Sequence, residues 1–560
     1  MSTKFRARVA GLVRRLRRRT GTGRAGSVAG GDPVYAYWPV LGRFRDLVAT
    51  APAPTAPVTG DPVRVGFAVF GAGVPHLIVD HLLAAALEQR GAVSQFFVCD
   101  LPSLPACDER LAQVRPNDRC RTCIAQKRPF LEASGVDWVP LSRFLGDAPA
   151  AEAEAQATVA ALRDDEIIGF CVDGWPVGSW LGSSVAGYLR ADSHGDAPDV
   201  VAARRSFLVS GILALRAVTA WLDDYRPDVV VVLSGRHLFW RAAREVAQAR
   251  GIKVVSREMY DESFDRHVYA VNSSCEDPAL DGAWAAAKDL PLTPEEEARI
   301  DGYLRGLPAF ARQTATDPVL ETDALAIRRA LGLRDDRRLL VLFTNVSWDL
   351  FVAERDHAFD GQMEWLDATF DFVRKHPELD LVVRAHPAEI VPKFRTVGRI
   401  VDQITQRFAP LPDNVFLVGP ESEVSSDTLR AMASCNLVYC ASVGLEATIA
   451  GQPVLVCGAP YYARKGFTVD VDTPEDYRRM LEGLADGNVP QPPADSATLA
   501  RRFVHLMKFR YAIDMRWTNA DPVKLEFAIT DLGDLAPGRS VAVDTVCDGI
   551  LHRDEILLPG

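Results

Sequence analysis

No apolar run in this chain of 560 residues approaches the ~18 residues that a membrane-spanning helix needs. The basic N-terminus is not followed by an apolar stretch and a small-residue cleavage site, so no secretory signal is expected. Cysteine is sparse, with ten residues scattered along the chain, which favours reduced thiols or metal ligands over a disulfide framework. The sequence has no G-x-x-x-x-G-K-[ST] loop, no G-x-S-x-G elbow, no H-E-x-x-H pair and no kinase signature set. Those gaps set aside phosphate-loop NTPases, serine hydrolases of the elbow type, zincins and protein kinases. No internal repeat of solenoid period is present either. What remains, at 48% hydrophobic and 24% charged residues, is an ordinary globular composition with core enough for two domains or more. A cytoplasmic location is the expectation.

Acidic and basic residues are unevenly spread. The net charge is −11, yet Lys4, Arg6, Arg8, Arg14, Arg15, Arg17, Arg18, Arg19 and Arg24 put +9 into the first 24 residues with no acid among them, leaving −20 for the rest. Phe5, Val9, Leu12, Val13 and Leu16 fall at helical spacing within that stretch. The pattern describes either a short basic amphipathic helix on the anionic inner face of a cell membrane, or a disordered basic arm. Nucleic acid is not an expected partner, because the bulk of the chain is acidic and carries no basic patch with interleaved aromatics.

Gly, Ser, Ala and Thr dominate residues 20–32 and Pro-rich TAPAPTAPVTGD occupies 50–61, so 1–61 reads as an arm and linker. Two series of alternating strands and helices follow. The first has strands near 63–73, 93–100, 228–235 and 252–258, and the second near 338–345, 379–385, 414–420, 436–442 and 453–458. Their near-continuous Val and Leu runs belong to buried parallel sheets. The predicted fold is therefore α/β of the GT-B kind, two doubly wound Rossmann-type domains facing across a cleft. The expected bounds are 62–335 for an acceptor domain, 336–498 for a nucleotide-sugar donor domain, and 499–560 for a helical segment with a short β-rich tail.

In such sheets ligands bind outside the carboxyl ends of the strands. Two strands of the second series end in small polar clusters there: Arg384, His386 and Glu389 in LDLVVRAHPAE, and Ser442, Gly444 and Glu446 in NLVYCASVGLEA. The chain supplies a control for the first. His376-Pro377 is the same dipeptide as His386-Pro387, but it closes a predicted helix, where proline merely stops the chain. A cation, an imidazole and a helix start side by side suit a phosphate-bearing ligand, with His386 hydrogen-bonding a phosphate or protonating its leaving oxygen. Ser442 can cap or bind phosphate, Gly444 permits close backbone approach, and Glu446, four residues on, shares its face and can accept from ribose hydroxyls. Thr344, Asn345 and Asp349 after the first strand of the second domain, and Tyr462, Lys465, Gly466 and Thr468 after its last, fall on the same edge. Each of these residues also has an ordinary reading, as a helix cap, a dipole partner or loop chemistry.

Cys99, Cys107, Cys120 and Cys123 follow C-x7-C-x12-C-x2-C spacing, which a tetrahedral four-thiolate zinc site tolerates. Unligated thiols are the alternative, since structural sites usually show two close pairs.

TNVSWD (344–349), VVRAHPAE (382–389), YCASVGLEATIAGQPV (439–454) and YYARKGFT (461–468) together resemble the bacterial capsule polysaccharide biosynthesis proteins, GT-B enzymes related to the capsule Kdo transferases. The resemblance is close over 338–470 and general in the N-terminal half. It implies transfer of a sugar from a nucleotide donor of the CMP or UDP class to a capsular saccharide or glycolipid, with His386 at the donor phosphate, Ser442 assisting and Glu446 at the ribose. A catalytic base is then expected from the first domain, with Glu258 in SREMYDES and Asp173 in VDGW as candidates. Competing readings keep the fold and change the role: polyol-phosphate transfer, nucleotide-sugar 2-epimerisation, or a non-catalytic assembly protein. The epimerase reading expects a Gly-Gly-rich turn with paired acids where this chain has SVGLEA.

Overall fold

The computed structural model describes residues 38–51, 61–71, 73–108, 116–193, 195–260, 263–310, 320–349, 352, 354–390, 396–519 and 525–560. The basic arm expected at residues 1–24 lies outside them. Thirteen strands are present among these residues: β1 Arg64–Val69, β2 Val93–Val98, β3 Asp137–Pro140, β4 Val229–Leu233, β5 Lys253–Tyr260, β6 Ser263–Val271, β7 Arg338–Phe343, β8 Leu379–Arg384, β9 Val415–Val418, β10 Cys435–Val438, β11 Val454–Val456, β12 Val469–Asp470 and β13 Ile513–Asp514.

They form two sheets. The first runs β13-β6-β5-β4-β1-β2-β3 and the second β12-β11-β10-β7-β8-β9. The second sheet is parallel throughout. In the first, only β6 and β13 run antiparallel to their neighbours. Parallel pairing follows from the sequence. Runs such as VVVVL in β4 and LDLVVR in β8 are buried on both faces, and helices in the crossovers cover those faces.

Helix Pro198–Tyr225 is the backbone of the first core. Trp221 stacks on Phe97 of β2 with ring centroids 4.7 Å apart and donates its indole N–H to Gln95. By length and composition this helix matches a membrane span, but 72% of its most apolar window is buried inside the protein. It is a core helix, and Arg204, Arg205 and Arg216 interrupt its apolar sequence.

The chain passes between the two sheets twice. Residues after β6 lead through helices Asp281–Ala287 and Pro294–Phe310 into the second domain. After helix Ser496–His505 the chain returns through a π-helical turn at Leu506–Tyr511, pairs as β13 with β6, and ends in helix Val541–His552 against helix Val74–Glu88. Among the described residues, one apolar cluster spans both domains. It runs from Val268 and Ala270 on β6 through Trp284 and Phe503 to Val341 and Val382 in the second sheet.

Candidate functional site

The carboxyl edges of the two sheets face each other. Arg355, in the loop after β7, donates to the backbone carbonyl of Glu276. Glu276 in turn accepts from Ser234, directly after β4, at 2.6 Å. Arg241 pairs with Glu354 at 2.9 Å, and the Arg190 guanidinium sits 4.2 Å from the Trp348 ring centroid. The cleft between these edges is where a ligand would meet both domains.

On the second domain His386 follows β8 and is exposed. Its ring lies low against the protein although part of the residue is exposed, and desolvation there, followed by the charge of Arg384, lowers its pKa to about 4. The ring is therefore neutral at physiological pH. Its Nδ1 accepts the Ala388 backbone N–H at 3.1 Å, which places the proton on Nε2. The Nε2–H left by that bond can donate a hydrogen bond to a phosphate oxygen.

Ser442 is exposed at the start of helix Val443–Ile449. Its hydroxyl stands 3.5 Å from Glu446, so the two share a helix face as their spacing required. Burial raises the pKa of Glu446, which still leaves a carboxyl able to accept hydrogen bonds.

The other donor-side candidates are used by the fold. Arg384 is buried and donates to Ser426 at 3.1 Å and to the Gly419 carbonyl at 2.5 Å, which ties β8 to the end of β9. Glu389 accepts the first helical N–H of Ile400 at 2.9 Å and so anchors helix Ile400–Arg407. Asn345 accepts the Cys440 N–H at 3.0 Å and links the ends of β7 and β10, while Thr344 is buried beside it. Asp349 lies in a turn, with its N–H on the Val346 carbonyl. Tyr462 is wholly buried and donates to the Ala441 carbonyl at 2.6 Å. Thr468 donates to Asp470 at 2.9 Å. Gly466 takes a left-handed φ of 88°.

Gly444 has a reason other than ligand approach. A Cβ there would lie 2.2 Å from the Tyr462 hydroxyl and 2.9 Å from Val438, so packing alone demands glycine.

On the first domain Glu258 lies near the carboxyl end of β5. Burial, and then the charge of Glu276, raise its pKa to about 7 against the pull of the Met259 N–H, Arg257 and His237. His237 follows β4. Burial works against its charge, but the Asp108 carboxylate 3.1 Å from Nδ1 outweighs that and leaves the pKa raised. Glu276, Ser234, His237 and Asp108 were not singled out from the sequence. Ser234 and His237 belong to LSGRH, a polar cluster ending an apolar strand, the same signal that marked His386. Asp173, the second candidate base, does not join this group. It occupies a tight turn with φ 49°, and its exposed carboxylate lies 4.0 Å from Arg216 on helix Pro198–Tyr225.

Cys99, Cys107, Cys120 and Cys123 do gather around one small void, walled otherwise by Phe70, Leu101, Leu104 and Ile124. Among the described residues no group of three or more His, Cys, Asp or Glu side chains is placed to hold a metal ion. The expected zinc therefore has no ligand set in this structure. The void is apolar, and desolvation there raises the Cys99 thiol to about 11, which keeps it protonated.

The sequence pattern of the family described as capsule polysaccharide biosynthesis protein matches residues 302–491. No curated protein matches the chain. Among solved structures, the beta Kdo 2,7 transferase of Thermosulfurimonas dismutans KpsC is 15% identical over 58% of this chain and 90% of its own, with a TM-score of 0.32. The UDP-GlcNAc 2-epimerase of Neisseria meningitidis, bound to UDP-GlcNAc, is 13% identical over 79% of this chain and 94% of its own, with a TM-score of 0.23. The UDP-GlcNAc 2-epimerase of Methanocaldococcus jannaschii is 12% identical over 80% of this chain and 100% of its own, with a TM-score of 0.26. The family pattern thus matches the part of the chain, residues 302–491, that holds the whole second sheet and every donor-side residue described above.

Proposed function

We propose that this protein transfers a sugar from a nucleotide-sugar donor to a saccharide or glycolipid acceptor in the making of a surface polysaccharide. One observation carries the reading. A carboxyl held at about 7 (Glu258) and an exposed imidazole whose Nδ1 accepts a backbone N–H, leaving Nε2 as the donor (His386), stand at the carboxyl ends of strands in the two sheets. Glu258 takes the proton of the acceptor hydroxyl as its oxygen bonds to the anomeric carbon. The bond from that carbon to the donor's phosphate oxygen breaks, and the electron pair stays on the phosphate. His386 Nε2–H stabilises the charge that collects there, with Ser442 beside it. Glu446 accepts from the ribose of the nucleotide. His237, fixed by Asp108, and Glu276 tune Glu258 through charge.

The test is thermal stabilisation of the full chain by CMP, CDP, UDP and GDP. One nucleotide is expected to raise the melting temperature of the wild type and not of His386→Ala, since a ligand that binds only the folded state stabilises it. No response to any nucleotide at millimolar concentration would remove the reading.

A further inference from the structure

Arg190 ends helix Gly182–Leu189 in the left-handed region, with φ 55°, and from there it meets the second domain at two points. Its guanidinium lies over the Trp348 ring, and its carbonyl accepts the Val397 N–H at 2.9 Å. Trp348 is held for this contact by its own indole N–H, which donates to Thr396 at 2.9 Å. The two backbones close up alongside, since a Cβ on Gly398 would stand 3.5 Å from that of Ala191. Burial disfavours the Arg190 charge, and the negative face of an indole offsets that without being charged itself.

These contacts lie on the side of the cleft away from the chain crossings. The crossing chain meets the second sheet at the loop after β11, where Trp284 donates to the Lys465 carbonyl and Asp281 pairs with Lys465. Trp348 follows β7, and Thr396 and Val397 follow β8. Strand order puts β8 three strands from β11, roughly 14 Å at ordinary strand spacing. His386 also follows β8, so the bridge is on its side of the cleft. In the first domain, the helix that ends at Arg190 packs on the start of helix Leu238–Ala249. There Ser184 accepts the Leu238 N–H at 2.9 Å, and a Cβ on Gly187 would lie 3.7 Å from the His237 ring.

We infer that Arg190 is a clasp. By stacking on Trp348 and accepting from Val397 it holds the two domains together on the side away from the crossings, and it lets go for a substrate to pass between the sheets. The release step rests on the transferase reading above, and the clasp itself does not.

A cross-link in the full chain tests both. In Ala191→Cys/Gly398→Cys the Cβ atoms fall within the span of a disulfide, about 3.5–4.5 Å. Oxidised glutathione is expected to join them, as located by peptide mass, with wild type treated alongside as the control for its own ten thiols. Arg190→Gly keeps the carbonyl and suits the left-handed backbone, so it removes only the side chain. In that background the melting temperature should hold while the cross-link forms roughly threefold more slowly. Trp348→Leu should slow it as well, and the two changes together should cost less than their sum. A cross-link that does not form, or one that forms equally fast without the Arg190 side chain, overturns the clasp. A nucleotide that stabilises wild type should enter the oxidised double variant roughly tenfold more slowly than the same protein reduced with dithiothreitol. Equal rates in the two forms overturn the release step. A wild type that answers no nucleotide removes the transferase reading and the release step with it, while the cross-linking rates still decide the clasp.

Discussion

Glu258 carries the sharpest consequence at the scale of single residues. A carboxyl raised to about 7 from 4.5 is largely protonated in mildly acidic buffer and becomes a base as pH climbs through neutrality. Transfer activity, read as kcat/KM against pH, is expected to rise through about pH 7. Glu258→Gln is expected to lose roughly 10²–10⁴-fold in rate while keeping its nucleotide response, and Asp173→Asn to match wild type. The same shift enters folding with a definite sign. The native state holds this proton more tightly than the unfolded chain, so Glu258 favours the fold below pH 4.5 and loses that contribution as pH rises through its native value of about 7. His386 shows the opposite displacement from a related cause, since crowding strips water from the ring and the charged form is disfavoured. These two residues were legible in the sequence because each ends a buried strand. Arg384 and Glu389, read by the same rule, turned out to be tied into β9 and the next helix. Position at a strand end does not say which way a long side chain turns.

At the scale of elements, the turn between β10 and helix Val443–Ile449 shows how the fold holds its ligand edge. Tyr462 reaches back under the turn to the Ala441 carbonyl, and Gly444 leaves room for it. Gly444→Ala is expected to cost about 1–3 kcal/mol, as overpacking does, measured by denaturant unfolding. Tyr462→Phe removes the hydroxyl that the new Cβ would meet, so the added cost of Gly444→Ala should be smaller in that background. All nine strands expected from the sequence exist, near their expected places, because uninterrupted Val and Leu runs of strand length have few alternatives. The strands missed are short or polar. β3, β12 and β13 span two to four residues, and β6 (SFDRHVYAV) mixes charge into its pattern. Register against β5, seen only in three dimensions, makes a strand of β6. Long-range pairing also explains why Glu276 escaped notice, for it owes its place to Ser234, 42 positions away.

For the whole molecule, charge is divided between an acidic body and the basic first 24 residues. If those residues attach the enzyme to a membrane, the full chain should sediment with vesicles containing anionic lipid and not with neutral ones, each basic residue near the surface adding about 1 kcal/mol. Deletion of residues 1–24 should abolish the effect, and salt should weaken it; equal sedimentation of the deletion would refute it. The double passage between domains has a different consequence. The outgoing and returning strands of chain lie side by side, with Tyr511 donating to the Cys275 carbonyl and Lys508 over the rings of Tyr260 and Tyr303. Two parallel tethers act like the two leaves of a door hinge. Two such tethers are expected to restrain rotation of one half against the other more than a single crossing would, and so to keep the same two edges opposed.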